Sequence, residues 1–298
     1  MWFLSLTTAI ALAGQSPEEV VECEPLSGWE ALSERSSGKY LVLGESHGSV
    51  EAPAAVAEYI CAIAGQGPIL LGIEFSSADN DGLQRAWGAP HSQFRERMFA
   101  ELPVWGTRPD GVASAAMLTM LEKLHALKEA GRQIDIVAFN GAKNDAQRAA
   151  FKQLPGQEPH EAAQAANIRE AAQSREYTHV IVLVGRFHAG KRSSAPAGVD
   201  GIETRPMAML LAPPDRVVSL AMNSAGGETW SCRLRPDFEL DATKPIPGDA
   251  IVCGANSIGP DNQVLSRGFH LDTPDRTSRF DGVFALGAIT ASPPPEID

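Results

Sequence analysis

Residues 39–48, Lys39-Tyr40-Leu41-Val42-Leu43-Gly44-Glu45-Ser46-His47-Gly48, set an apolar run of strand length against a Glu, a Ser and a His enclosed by glycines. A continuous apolar run bounded by glycine reads as a strand buried on both faces. The Ala-rich stretch from Val50 to Gly65 reads as a helix, and strand followed by helix is the opening of a parallel β-α unit.

The same texture continues outward. Pro68 to Glu74 is a second strand candidate, followed by a polar stretch at Ser76 to Gly82 and helices around 83–101. Met117 to Gly131 places Leu118, Leu121, Leu124 and Leu127 in helical register, with Gly131 as the stop. Gln133 to Phe139 is the third strand, and two polar helices separated by Pro155 and Pro159 fill 144–174. The longest apolar run, His179 to Gly185, reads as a buried central strand, and Met207 to Leu211 and Arg216 to Met222 as shorter strands. Beyond residue 222 the chain turns Gly-, Pro- and Asp-rich. The expected fold is α/β: a three-layer sandwich around a mostly parallel central sheet, over 15–222, with an irregular β-rich extension at 223–298 packed on the same domain.

Composition narrows the function. With 298 residues and 44% hydrophobic side chains the chain is long enough for a full core, and a net charge of −12 argues against nucleic-acid partners, which require clustered Lys and Arg. The first thirteen residues carry no charged side chain and end in Ala11-Leu12-Ala13 before a polar stretch, which reads as a signal peptide over 1–14 and a periplasmic or secreted protein. That run is too short for a membrane span, which needs about 20 apolar residues, so no transmembrane segment is expected in the mature chain. Four cysteines without a CxxC fit two disulfides, and the local pairs Cys23 with Cys61 and Cys232 with Cys253 are favoured among three pairings.

Three strand candidates end in polar groups: Glu45 and His47 after the first, Glu74 closing the second, and His188 in Gly185-Arg186-Phe187-His188 after the central one. In parallel sheets ligands bind outside the carboxyl ends of the strands, so residues a hundred positions apart can converge there. A carboxylate closing an apolar strand is costly unless partnered, which singles out Glu74. Two histidines and two carboxylates in one crevice suit acid and base catalysis or a divalent ion. Gly44 to Gly48 is also a literal G-x-S-x-G between strand and helix, the setting of a nucleophile elbow with Ser46 as nucleophile and His188 as base. Against it, only about forty residues precede the motif, no oxyanion loop lies upstream, and His47 and Glu74 are left without a role.

These motifs resemble a superfamily that joins erythromycin esterases, haem-uptake lipoproteins, and pheromone-shutdown and Wnt-cleaving metalloproteases. The likeness rests on Gly44 to His47, the lone Glu74, and Gly185 to His188. Ala165 to Arg169 is similar to the family's helix beside the cleft, and Trp105 to Phe139 and the tail from Asp281 through Pro293 look like those of exported relatives. Resemblance to the esterases implies an ester or amide hydrolase without a cofactor, acting on a small molecule or peptide, with His47 as base, Glu74 orienting water, His188 stabilising the oxyanion and Glu45 completing the site. Resemblance to the metalloproteases implies one divalent metal on His47, Glu74 and His188. Resemblance to the haem-uptake proteins implies a binding protein without turnover, with haem iron on a His or on Tyr40, Tyr59 or Tyr177. Arg186, Arg108 and Trp105 are the candidates for substrate contact, the arginines as bidentate clamps on an anionic group. His91, His125, His160 and His270 have no motif context, His179 reads as structural, and Asp79 to Asp81 as a solvated loop.

Overall fold

The structure is a computed structural model that describes residues 22–194, 203–238, 247–272 and 278–296; the expected signal peptide lies outside them. Helix α1 (Trp29–Ser36) precedes strand β1 (Tyr40–Glu45), then α2 (Glu51–Ile63), β2 (Ile69–Ser76), α3 (Asn80–Trp87), α4 (His91–Glu101), α5 (Val104–Thr107) and α6 (Ala115–Glu129). Strand β3 (Ile134–Asn140), α7 (Asp145–Phe151), α8 (Glu158–Ala172), β4 (His179–Gly185) and α9 (Met207–Leu211) follow, then β5 (Val217–Leu234), β6 (Ile251–Ile258), β7 (Gly268–Leu271) and β8 (Gly282–Ile289).

One sheet runs in the order β3-β2-β4-β1-β5-β8-β7. All neighbours from β3 to β8 are parallel, while β7 on β8 and β6 on the outer half of β5 are antiparallel. Alternation along the central strands builds the three layers. Leu41, Leu43, Ile181 and Leu183 face α2 and α6, whereas Val42, Val182 and Val184 face Ala165 and Ile168 of α8 and Met207 and Leu211 of α9. The α/β sandwich expected from the sequence is present.

Two elements differ from the sequence reading. Met207–Leu211, expected as a strand, is a helix. Its five apolar residues follow Pro206, which cannot donate to a ladder, and the Met207 N–H bonds the Glu161 side chain instead of a neighbouring strand. Asp79 to Asp81, expected as a loop, passes from a 3-10 turn into α3, where Asn80 accepts from the Ala138 N–H. Strand β5 runs unbroken through residue 222, so both parts of the chain share the sheet.

Helix α3 covers the outer edge of β3. Its residues 80, 84 and 87 lie on one helix face. Besides the Asn80 bond, Gln84 donates to the Ile136 carbonyl at 2.7 Å and Trp87 Nε1 to that of Ile134 at 3.0 Å. Both favoured disulfides form. Cys23–Cys61 ties the chain before α1 to α2, and Cys232–Cys253 joins facing residues of β5 and β6.

Candidate functional site

The carboxyl ends of β1, β2 and β4 bring Glu45, His47, Glu74 and His188 together. Glu45 is the last residue of β1, in register with Gly185, the last of β4. Glu74 lies where the pairing of β2 with β3 slips between Ile73 and Ser76, an irregularity of the kind that re-aims a side chain. The Gly185 N–H donates to Glu74 Oε2 at 2.7 Å.

The histidines stand on either side of Glu74. His47 Nε2 is 3.3 Å from Oε2 and His188 Nε2 is 3.8 Å from Oε1. From behind, His47 Nδ1 pairs with Glu45 Oε1 at 2.9 Å, and His188 Nδ1 meets both oxygens of Glu161 at 2.8 Å. The result is an alternating row, Glu45, His47, Glu74, His188, Glu161. Its carboxylates are buried, but the His47 side chain keeps 24% of its surface exposed, so solvent reaches the row from that ring. A cleft of about 460 Å³ lined by Gly156, Gln157, Pro159, His160 and His188 opens beside it.

The charges reinforce one another. Burial alone would push the His47 ring down, but the Glu74 charge and hydrogen bonds to Glu45 and Glu74 raise it well above its ordinary 6.5. His188 is raised against its own burial, by the bond to Glu161 and the charge of Glu74. Burial would raise Glu74, yet the charge and hydrogen bond of His47, the charge of His188 and the Gly185 N–H bring it down to about 2. Both imidazoles therefore hold their second proton to higher pH than a free histidine does. His160, near His188, is lowered by burial and by the charges of His188 and Arg108, against the pull of Glu161.

No protein-family model matches the chain, and no curated protein does. Solved structures do. A mutant of the erythromycin esterase EreC in its open conformation superposes with a TM-score of 0.61 over 90% of this chain and 95% of its own, at 12% identity. The chain has the erythromycin-esterase fold. A succinoglycan biosynthesis protein (TM-score 0.59, 10% identity, 94% of this chain and 95% of that one) and a Bacillus cereus protein (0.54, 12%, 90% and 93%) share it.

Within this fold both arginines among the other sequence candidates have partners of their own. Arg108 forks onto Asp110 through three hydrogen bonds of 2.7–3.1 Å. Arg186 donates to the Met222 carbonyl at 3.2 Å, stands 3.5 Å from Asp261 and lies over the Phe280 ring. Trp105 is in the hydrophobic core, edge-on to Phe75 and Phe99. Tyr40 opens β1 and Tyr177 precedes β4, at the opposite end of the sheet, while Tyr59 is buried against Phe269. Glu161 and His160 were not singled out by sequence. Both sit on α8, and the only pointer to them was the likeness of Ala165 to Arg169 to a cleft helix.

Ser46 has no hydrogen bond to either histidine among the described residues, and all four ring nitrogens of His47 and His188 face carboxylates. No described non-glycine residue has a positive φ, so the backbone strain of an elbow is absent. Gly48 answers a different need. Its φ is 79° and a Cβ there would stand 2.1 Å from the Trp230 carbonyl oxygen. Among the described residues no group of three His, Cys, Asp or Glu side chains is arranged to hold a metal ion.

Proposed function

We propose that this chain is an exported hydrolase that cleaves an ester or amide of a small molecule or peptide with water activated by His47. The observation that carries it is the pair of imidazoles flanking Glu74, each backed by its own buried carboxylate. Two groups of one type, one of which accepts a proton while the other donates, are what acyl hydrolysis requires.

The cycle starts when the resting His47 has lost its Nε2 proton. The neutral nitrogen takes a proton from water as the oxygen attacks the carbonyl carbon, and the carbonyl π electrons move to its oxygen. His188 Nε2–H faces that developing charge. Glu74, held by the Gly185 N–H, keeps both rings and the water in line. On collapse the C–O or C–N bond breaks, and His47 returns its proton to the alcohol or amine. Nothing in this sequence uses Ser46.

Support for export comes from the two disulfides, which persist in oxidising compartments. No described helix is long and apolar enough to cross a membrane. The decisive experiment is an activated-ester panel on the purified protein. Turnover that falls by about 10²–10⁴ in His47→Ala, the contribution of a general base, supports the proposal. A panel on which the native protein and His47→Ala behave alike overturns it.

A further inference from the structure

His188 is turned by a residue from another element. Glu161 lies 27 positions upstream on α8, is fully buried, and places both carboxylate oxygens 2.8 Å from His188 Nδ1. A carboxylate only accepts, so Nδ1 carries the hydrogen and Nε2 is left on the side of Glu74 and the cleft. Glu161 Oε2 also accepts the Met207 N–H at 2.8 Å, and the Ala208 N–H donates to the His188 carbonyl at 3.0 Å. Helix α9 therefore clamps both members of the pair, the carboxylate by its first residue and the histidine backbone by its second.

A buried carboxylate is not the ordinary way to satisfy a buried histidine here. His125, fully buried, is held by the Trp87 carbonyl and the His91 ring, and His179 by the Gln66 amide. Only at His47 and His188, among the described histidines, does a carboxylate stand behind the ring, and those are the two that flank Glu74. A group that removes freedom from an imidazole without touching the cleft fixes its direction and holds its far N–H.

We propose that Glu161 is a positioning residue for the reaction: it accepts from the Nδ1–H of His188 and so aims Nε2–H at Glu74 and the cleft, with α9 holding the pair in place. This rests on the hydrolytic function proposed above. The consequence is that Glu161 acts on turnover through His188 and leaves substrate affinity nearly untouched.

The test reads the ring directly. Nitrogen NMR of native protein with labelled histidine should show His188 protonated on Nδ1; an unprotonated Nδ1 overturns the proposal whatever any variant does. Glu161→Gln, which keeps a side chain of the same shape but adds a competing N–H donor, should shift the His188 ring signals. It should also lower kcat at least about tenfold with little change in KM. Glu161→Asp, which keeps the charge at shorter reach, should recover part of that loss and serves if the glutamine variant does not fold. Unchanged ring signals in both variants overturn the proposal. Ring signals that shift in the variants while the native protein hydrolyses nothing support the hold of Glu161 on His188 and remove the hydrolytic function instead.

Discussion

The Gly185 N–H bonds Glu74 Oε2 at 2.7 Å, and a Cβ on this same glycine would stand 3.5 Å from that oxygen and 3.1 Å from His47 Nε2. Gly185 thus positions the carboxylate with its backbone and leaves room for the imidazole by having no side chain. Gly185→Ala keeps the N–H and adds only volume. We expect it to cost about 1–3 kcal/mol in chemical denaturation, as overpacking does, and to lower kcat, since the group displaced is His47. Unaltered kcat with unaltered stability would show that the ring moves aside freely.

The pH dependence follows from the two raised imidazoles. Losing the first proton from the pair creates the base, and losing the second removes the partner of the oxyanion. The kcat/KM profile should be a bell with both limbs on the alkaline side of 6.5, the ordinary histidine value. An ascending limb at 6.5 would show that the carboxylates do not hold the rings protonated.

Stability should run the other way. The raised histidines contribute stability fully below 6.5, and it is lost as pH climbs through their folded values. Glu74, lowered to about 2, contributes above its ordinary 4.5 and loses that contribution as pH falls toward 2. Both contributions are present between 4.5 and 6.5, so His47→Gln and Glu74→Gln should reduce Tm most there, as thermal melts across pH would read. Activity and stability therefore peak at different pH.

Ser46→Ala should keep kcat within a few-fold, because no ring nitrogen is available to take the serine proton. Removing a true nucleophile costs on the order of 10⁶-fold, so ester turnover assays on this one variant separate the two chemistries.

The disulfides should differ in what they affect. Cys232–Cys253 closes the β5–β6 ribbon two residues beyond Trp230, whose N–H donates to the Gly48 carbonyl at 2.9 Å and whose indole donates to the Pro109 carbonyl at 2.9 Å. Changing both cysteines to serine should cost roughly 3 kcal/mol and also lower the kcat of the folded protein, because Gly48 follows His47. The Cys23, Cys61 double serine variant should lose stability and keep kcat. Equal kcat in the two variants would show that the ribbon does not support the catalytic loop.

What was legible in the sequence was what period and punctuation encode. Leu41 to Leu43 and Ile181 to Val184 declare buried parallel strands, and such strands put their last residues in one place, so Glu45, Glu74 and His188 could be read as neighbours. Met207 to Leu211 was misread because five apolar residues fit either a strand or one buried helical turn; Pro206 and a carboxylate from α8 decide it. Glu161 was illegible because an acidic residue in the first turn of a helix is ordinary and no motif adjoins it, and only the packing of α8 on the sheet brings it to His188. Arg108 was a clamp candidate because sequence shows a charge but not its partner, here Asp110 two residues on.

Helix α3 presents Asn80, Gln84 and Trp87 to the rim of β3 as an acceptor and two donors, offering the strand what another backbone would. An incoming peptide would have to displace three side-chain bonds before gaining its own, so this edge of the sheet does not serve as a template for a further chain. For a protein proposed to fold outside the cell, that closed rim is protection against self-association through β3.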